Sequence, residues 1–358
     1  MLRFLARRLV LLLPVAIGIL LVTFLIVRLI PGDPCVAMLG ERATEAKCEE
    51  FKERYGLNDN VFVQFVRYIG NMAQGDFGES IRFSRPVSQI ISERLPMTIE
   101  LTIFAMLFST IVGIFLGIIS ALHPNSLIDT LTMILANIGV SMPVFWLGLM
   151  LAYFFALVLK DTPFFIPPSG RLSATVTMVN LEKFWGLENL SGFPKFAINF
   201  LSNLAIFNSI VTGNWATLKD ALWHLILPAV AVGTIPLAII ARMTRSTLLE
   251  VMQQDYIRTA RAKGVKESIV VSQHAMRNVM IPLITIIGIE TGALLSGAVL
   301  TETVFALPGV GTMLVQSILS RDYPVVQGFT LIIAIIFVFI NLLVDLSYAY
   351  LDPRVRLE

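Results

Sequence analysis

The chain has 358 residues, of which 56% are hydrophobic and only 15% are charged. Its mean hydropathy of +0.78 lies well above the range of soluble proteins and excludes a soluble globular domain. The formal net charge of +2 is too small to indicate nucleic-acid binding, and no short-period repeat indicates a solenoid or propeller. The composition is therefore that of an integral membrane protein.

The first apolar run covers residues 9–30 and follows Arg3, Arg7 and Arg8. A basic start and an apolar core also occur in signal peptides. This run, however, is about 20 residues long, enough to cross roughly 30 Å of hydrocarbon, and no small-residue cleavage pattern follows it. We therefore predict an uncleaved transmembrane helix.

Five further runs are long and apolar enough to span a bilayer: residues 98–122, 131–159, 222–241, 279–304 and 325–350. Residues 196–211 are also apolar, but their polar side chains fall largely on one side of a helix, which favours a helix lying in the membrane interface. The predicted fold is therefore an all-α integral membrane protein with six transmembrane helices.

Short basic segments place both termini in the cytoplasm, because Lys and Arg concentrate on the cytoplasmic side of spans. These segments lie at the N-terminus, between the fourth and fifth spans and at the C-terminus. The predicted organisation is a first transmembrane helix at 1–30, an extracytoplasmic loop region at 31–97, a core domain with five transmembrane helices at 98–350 and a cytoplasmic tail at 351–358. Within the core we expect an extracytoplasmic insertion at about 160–221 and a cytoplasmic segment at about 250–278.

Cys35 and Cys48 are the only two cysteines, and both fall in the first outward loop. An oxidising compartment favours a disulfide between them, which would contribute about 3 kcal/mol through loop closure. Two free thiols remain the alternative, because the sequence does not give their separation.

No catalytic constellation is present: the sequence contains no phosphate-binding loop, no nucleophile elbow and no zinc-protease motif. The three histidines are scattered near different span ends, so no metal site is predicted. An ATPase that drove transport would have to be another chain.

Polar residues inside predicted spans are candidates for a translocation path, and these are Glu290, Asn137 and Ser141. Interhelical hydrogen bonding is the alternative role, and it is favoured for Asn137 and Ser141.

A basic segment interrupts the membrane-spanning pattern, and nothing in residues 250–263 breaks a helix. Val251, Tyr256, Ile257 and Ala260 give this predicted helix an apolar side, and Gly264 stands where a left-handed C-cap would lie. Such a helix suits a groove on a soluble partner. A basic helix resting on anionic lipid head groups is the alternative interpretation.

The same segment carries a family resemblance. The runs DYIRTARAKG at 255–264 and HAMRN at 274–278 resemble the ATPase-coupling motif of binding-protein-dependent ABC importer permeases, in their dipeptide/oligopeptide/nickel branch. Within that branch the chain is most similar to the first permease subunit of dipeptide systems. Matches extend over nearly the whole chain, and they include IPGDP at 30–34, GDFGES at 75–80, RLPMTIEL at 94–101, SMPVFW at 141–146, SGR at 169–171, ILP at 226–228, RMTR at 242–245, LTETVF at 300–305 with PG at 308–309, and RDYP at 321–324.

The coupling motif departs from the general importer pattern in two respects, the residues at 258–259 and the spacing to the proline. Ala260 and Gly264 are kept, but Arg258 and Thr259 replace the usual Glu-Ala pair, and Pro282 lies further along the chain. Permeases of the peptide branch share this departure. A contact that the motif's Glu makes in other importers therefore cannot be assigned to a residue of this chain. The resemblance implies that ATPase coupling involves Asp255, Tyr256, Arg258, Thr259, Ala260, Arg261, Ala262, Lys263, Gly264, His274, Arg277 and Asn278.

The resemblance implies a transport subunit of a bacterial inner membrane that works with a homologous second permease, two cytoplasmic ATPase subunits and an extracytoplasmic binding protein. The ligand would be a di- or oligopeptide. ATP and magnesium would be bound by the ATPase subunits, with no cofactor in this chain. A nickel chelate, an opine or glutathione is the alternative ligand within the family. A self-contained channel or secondary transporter is the alternative from another class, and an intramembrane enzyme has no supporting motif.

Overall fold

Helices form most of the part of the chain that the structure, a computed structural model, describes: residues 14, 17–25, 35–36, 43–54, 56 and 58–351. A single isolated β-bridge joins Glu79 and Pro86 in this part. The helices are α1 Glu45–Arg54, α2 Val61–Ala73, α3 Val87–Leu122, α4 Leu127–Ser141, α5 Val144–Val158, α6 Leu181–Phe184, α7 Gly192–Ser202, α8 Ala205–Val211, α9 Trp215–Val251, α10 Asp255–Ala262, α11 Glu267–Leu295, α12 Val299–Val304, α13 Val310–Leu319 and α14 Tyr323–Leu351. The predicted all-α class is confirmed.

Four of these helices, α3, α9, α11 and α14, are long and apolar enough to cross a membrane. They contain the predicted spans at 98–122, 222–241 and 325–350 and most of the one at 279–304. The predicted first span at 9–30 lies largely outside the described residues, although residues 17–25 are helical. The count of six spans therefore stays a prediction.

The predicted span at 131–159 is not one straight helix. It consists of α4 and α5, whose axes are bent by 102° at the break between them. The break falls at Met142, which is extended with φ −102° and ψ 137°. Pro143 explains this conformation, because a proline disfavours helical dihedrals in the residue before it. The pair forms either a broken span or a re-entrant element.

Two other boundaries differ from the sequence prediction. The span predicted at 279–304 ends at Leu295, and Gly297, with φ +103°, turns the chain before the short helix α12 begins. Residues 196–211 form no continuous helix, since α7 and α8 are separated at 203–204. At 1.5 Å per residue neither is long enough to cross a bilayer. Their location in the membrane interface stays a prediction.

The packing centre is the pair α3 and α9, which run in the same direction. On α3, every fourth residue facing α9 is small, and this row is Ala105, Ser109, Gly113, Gly117 and Ala121. Ser109 Oγ donates a hydrogen bond to Gly233 O at 2.6 Å. A Cβ built on Gly117 would lie 2.5 Å from Thr244 Cβ and 2.7 Å from Ala241 O. Small residues let two helix backbones approach closely, which is how helices associate within a membrane.

Adding one methyl group at position 117 tests this packing. Gly117→Ala is expected to lower the free energy of unfolding by about 1–3 kcal/mol, because the new Cβ would overlap α9 and force the helices apart. Thermal unfolding of the purified protein in detergent measures the change. Gly70→Ala on α2 is the matched control, since no heavy atom lies within 4 Å of a Cβ there. Equal melting of the two variants would contradict the proposed close contact.

Candidate functional site

The predicted coupling segment folds as two helices. Helix α9 ends at Val251, residues 252–254 form a turn, and α10 begins at Asp255. The prediction of one unbroken helix over 250–263 is therefore wrong. Gln254 is extended, with φ −70° and ψ 150°, and this residue redirects the chain. The turn allows α10 to fold back onto the bundle.

Helix α10 is attached to the bundle by two buried side chains. Ile257 is 0% exposed and Ala260 is 8% exposed, and both pack in one cluster with Leu248, Val270 and Val279. The predicted apolar side is thus confirmed for these two residues. It is wrong for Tyr256, which is 41% exposed and whose hydroxyl accepts a hydrogen bond from Asn278 Nδ2. The two halves of the predicted motif therefore meet directly.

The remaining predicted coupling residues face outward and form what we call the α10 surface. Its exposed members are Asp255, Tyr256, Arg258, Thr259, Arg261, Ala262, Lys263, Gly264, His274, Arg277 and Asn278. Arg261 is held in place by a two-point pair with Glu267, with Nε–Oε2 at 3.1 Å and Nη2–Oε1 at 2.6 Å. This surface is polar, largely basic and supported from behind by an apolar core.

The end of α10 is closed at Gly264, as predicted for a left-handed C-cap. Gly264 has φ +77°, a conformation that side chains with a Cβ rarely adopt. The N–H of Val265 donates to Ala260 O at 3.2 Å, and Val265 packs on the same apolar cluster. These contacts are those of a Schellman cap.

A π-helical turn, Val270–Ala275, lies at the start of α11. Its residues Val270, Val271 and Ala275 are buried, whereas His274 is exposed. A π turn widens a helix locally, and such turns often mark functional positions. Here it allows one turn to bury three residues against α10 while His274 faces outward.

An ion pair joins the start of α4 to the C-terminal part of α9. Arg245 Nε and Nη2 donate to the two carboxylate oxygens of Asp129 at 2.7 and 2.6 Å. The same carboxylate accepts from Ser120 Oγ at the end of α3 and from Asn125 N at 2.9 Å. Only 7% of the Asp129 side chain is exposed. We call this contact the inner clamp, and it fixes α9 six residues before the chain turns toward α10.

Two buried carboxylates tie the other end of α3 to the loops around it. Glu100 accepts from Arg171 Nη2 at 2.7 Å and from Ile206 N at 2.8 Å. Glu302 accepts from Thr98 Oγ1 at 2.9 Å and from Thr312 N at 2.9 Å. Both glutamates are almost fully buried. The insertion at 160–221 is therefore anchored to the bundle through Arg171.

A third buried carboxylate links two of the motifs quoted above. Asp322, which is 0% exposed, accepts hydrogen bonds from Ser80 Oγ and from the backbone N–H groups of Ile81 and Arg82 at 3.1 and 3.2 Å. Segments more than 200 residues apart in the chain thus meet at one point. The motifs at 75–80 and 321–324 are parts of one structural contact.

The three path candidates do not form one polar cluster. Asn137 Nδ2 donates to Met133 O at 2.6 Å, and Ser141 Oγ donates to Asn137 O at 3.1 Å, so both bonds stay within α4. Asn137 lines a cavity of about 530 Å³ between α4, α9 and α11, together with Arg242 and Ile286. Glu290 lies one turn beyond Ile286 on α11, half-buried, with no hydrogen bond or ion pair to another described residue.

Comparison with known proteins decides the family. The sequence-family model described as "Binding-protein-dependent transport system inner membrane component" matches residues 113–357. A second family model, described as "Binding-prot-dependent transport system membrane comp, N-term", matches residues 1–102. The chain belongs to this family. It is accordingly a multi-pass inner membrane protein of the permease type.

Curated relatives of this permease align over nearly their full length. The dipeptide transport system permease protein of Alkalihalophilus pseudofirmus is 45% identical over 99% of the chain and 100% of the relative. The di/tripeptide permease protein of Pseudomonas aeruginosa is 43% identical, and the dipeptide permease protein of Escherichia coli is 42% identical, each over 99% of both chains.

The permease contains supporting residues that sequence reasoning did not single out. Asp129 stands three residues after Ser126, whose hydroxyl accepts from Asp129 N at 3.2 Å. This spacing signals a helix start, and it does not reveal Arg245 as the partner. The sequence favours a disulfide between Cys35 and Cys48 over two free thiols, and their Sγ atoms lie at bonding distance, 2.00 Å, in the structure.

Removing the cation of the inner clamp should destabilise the permease. Arg245→Ala leaves the largely buried Asp129 carboxylate without its charged partner, and we expect the free energy of unfolding to fall by about 2–3 kcal/mol. Arg258→Ala is the control, because Arg258 is 72% exposed in its pair with Asp255, and its loss should cost less than about 0.5 kcal/mol. Chemical denaturation in detergent compares them. A similar loss in both variants would refute a special role for the clamp.

Proposed function

We propose that this chain is the transmembrane permease subunit of an ATP-driven importer of di- or oligopeptides, and that the α10 surface is where a separate ATPase docks. The single observation that carries the docking site is the geometry of α10. Two buried residues hold it on the bundle, while eight exposed residues between positions 255 and 264 face away from it. A polar, rigidly backed helix of this kind is suited to a groove on a soluble protein.

The peptide class of ligand is supported by the full-length relatives. Their names specify dipeptides or di/tripeptides, and an oligopeptide permease protein of Bacillus subtilis is 36% identical over 99% of the chain. In this proposal a homologous second permease completes the translocation path, and an extracytoplasmic binding protein delivers the peptide. Glu290, Asn137 and Ser141 remain candidates for contact with the ligand.

The proposed orientation puts both termini and the α10 surface in the cytoplasm. Support comes from helix α3, because the contacts of the predicted cytoplasmic segment and those of the predicted extracytoplasmic insertion lie toward opposite ends of it. The inner clamp and α10 lie near its C-terminal end, and the Glu100 and Glu302 contacts lie toward its N-terminal end. The basic residues around α10 obey the positive-inside rule in this orientation.

Motion is proposed to pass from the ATPase to the spans through the attachment of α10. Ile257 and Ala260 contact the end of α9 and the start of α11 in one cluster. A displacement of α10 therefore acts on two long helices together. ATP and a loaded binding protein shift the balance between two membrane states only by binding one state more tightly than the other.

Reconstitution tests this function directly. The permease is assembled in proteoliposomes with its second permease and ATPase subunits, and labelled dialanine is supplied with the binding protein on the outer side. We expect dialanine accumulation that requires ATP and all four components. Accumulation by the permease alone, without ATPase subunits, would identify a channel or secondary transporter instead.

A substitution at the cap of α10 tests the docking surface within the same assay. Gly264→Arg should leave membrane insertion intact and reduce ATP-dependent uptake at least about tenfold, because the left-handed conformation disfavours a side chain and the end of α10 would shift. Gly264→Asn is the matched control, since asparagine tolerates this conformation best among the other residues. Full uptake by the arginine variant, at equal membrane abundance, would remove the α10 surface from the coupling mechanism.

A further inference from the structure

A cavity of about 450 Å³ lies between the early part of α3 and the segment that joins α12 to α13. Its polar walls come from Arg94, Glu302, Thr303, Thr312 and Gln316, and its apolar walls include Leu307, Pro308 and Val315. The volume falls in the range of small-molecule sites. It is separate from the cavity beside Asn137, and the proposed coupling makes no use of it.

Arg94 and Glu302 are the two charged groups of this cavity, and they attract each other without forming an ion pair. Arg94 is the one of the two whose hydrogen-bonding groups are not already used. Its side chain is half-buried, and no hydrogen bond or ion pair joins its guanidinium to another described residue. Glu93, the adjacent carboxylate in sequence, is paired with Arg85. Both oxygens of Glu302 already accept hydrogen bonds, from Thr98 Oγ1 and from Thr312 N. The cavity therefore presents a guanidinium whose hydrogen-bond donors are not used by another described residue and which interacts with Glu302 through charge alone.

The chemistry of the walls suits a small organic carboxylate. A guanidinium binds a carboxylate through two parallel hydrogen bonds, which are stronger than neutral ones. Gln316 is exposed at the cavity and adds an amide. Leu307, Pro308 and Val315 offer apolar contact beside the charged group. An α-carboxylate with its neighbouring side chain combines the same two properties.

The cavity is held in shape before any ligand arrives. Glu302 fixes α12 to α3 and to the start of α13, and Gly170 N donates to Phe305 O at 2.8 Å. A Cβ built on Gly309 would lie 2.3 Å from the Glu302 carboxyl carbon, so this loop has no room to shift inward. Binding sites gain affinity when their groups are fixed in advance.

Arg94 also lies at the outer end of the bundle in the proposed orientation. It precedes the inner end of α3 by 28 residues, or about 42 Å of helix, which exceeds the roughly 30 Å of hydrocarbon. A ligand released at the outer mouth would reach Arg94 before it reached Glu290 in the middle of α11.

From these observations we propose that Arg94 binds the terminal carboxylate of the peptide at the outer mouth of the permease. The inference rests on the proposed function, and it adds a feature of ligand recognition located in the permease itself. Ligands with a free α-carboxylate should be preferred over otherwise identical ligands in which that group is an amide.

The test measures ligand binding to the assembled complex of both permeases and both ATPases, without the binding protein. Dialanine and its C-terminal amide are titrated separately and followed by saturation-transfer NMR. For the wild-type complex we expect the Kd of dialanine to be about tenfold lower than that of the amide. One charge-assisted hydrogen-bonded pair at a half-exposed site lowers a Kd by about this factor. In Arg94→Gln the two Kd values should become equal. In Arg94→Lys the ratio of the two Kd values should lie between that of the wild type and that of Arg94→Gln.

Arg82→Gln is the matched control, because Arg82 is an exposed arginine near the same end of α3, and it should preserve the preference. The proposal is overturned if the wild-type complex does not distinguish the two ligands, or if Arg94→Gln keeps the preference. It is also overturned if the variant weakens both ligands equally, the result expected of a structural residue. ATP-driven uptake with the binding protein present is measured in parallel: its absence in wild type refutes the proposed function, whereas uptake without carboxylate preference refutes only this inference.

Discussion

The close contact between α3 and α9 is the constraint on which the other contacts depend. Glycines at positions 113, 117 and 233 leave no space for a side chain between the two backbones. Within a membrane, apolar side chains gain little by leaving lipid for one another, so close backbone packing and hydrogen bonds must hold helices together. Since α3 and α9 run in the same direction, their N-terminal ends lie together, and so do their C-terminal ends. The helix pair thereby sets the positions of the polar contacts at its two ends.

Two buried ion pairs lie near opposite ends of the α3–α9 pair. Glu100, bound to Arg171, and Ser120, bound to Asp129, are 20 residues apart on α3, which is about 30 Å of helix. That length matches the hydrocarbon thickness of a bilayer. Buried pairs give little net stability, because desolvation offsets their attraction. Their geometry does fix which helix ends meet, and it anchors the insertion at 160–221 near one end of the pair and the turn before α10 near the other.

The sequence predicts the features that depend on local pattern. Periodicity and length identify α3, α9 and α14, and Gly264 marks the end of α10 because only a left-handed cap needs glycine there. It does not predict the break at 252–254, since no proline or glycine stands at those positions. It also does not predict the partners of Asp129, Glu302 and Asp322, which are separated by 116 to more than 200 residues. Long-range pairing of buried charges depends on the tertiary fold, and one sequence contains no direct signal of it.

The turn at 252–254 gives the coupling proposal its mechanical basis. Had α9 continued through residue 263, its end would have projected from the bundle, and a push on it would have bent one helix. Instead α10 folds back, and Ile257 and Ala260 contact residues of both α9 and α11. Interiors packed like crystals transmit displacement instead of absorbing it. The inner clamp holds α9 to α3 and α4 six residues before the turn. A force on α10 is therefore resisted at Arg245 and passed to α11, the helix that contains Glu290.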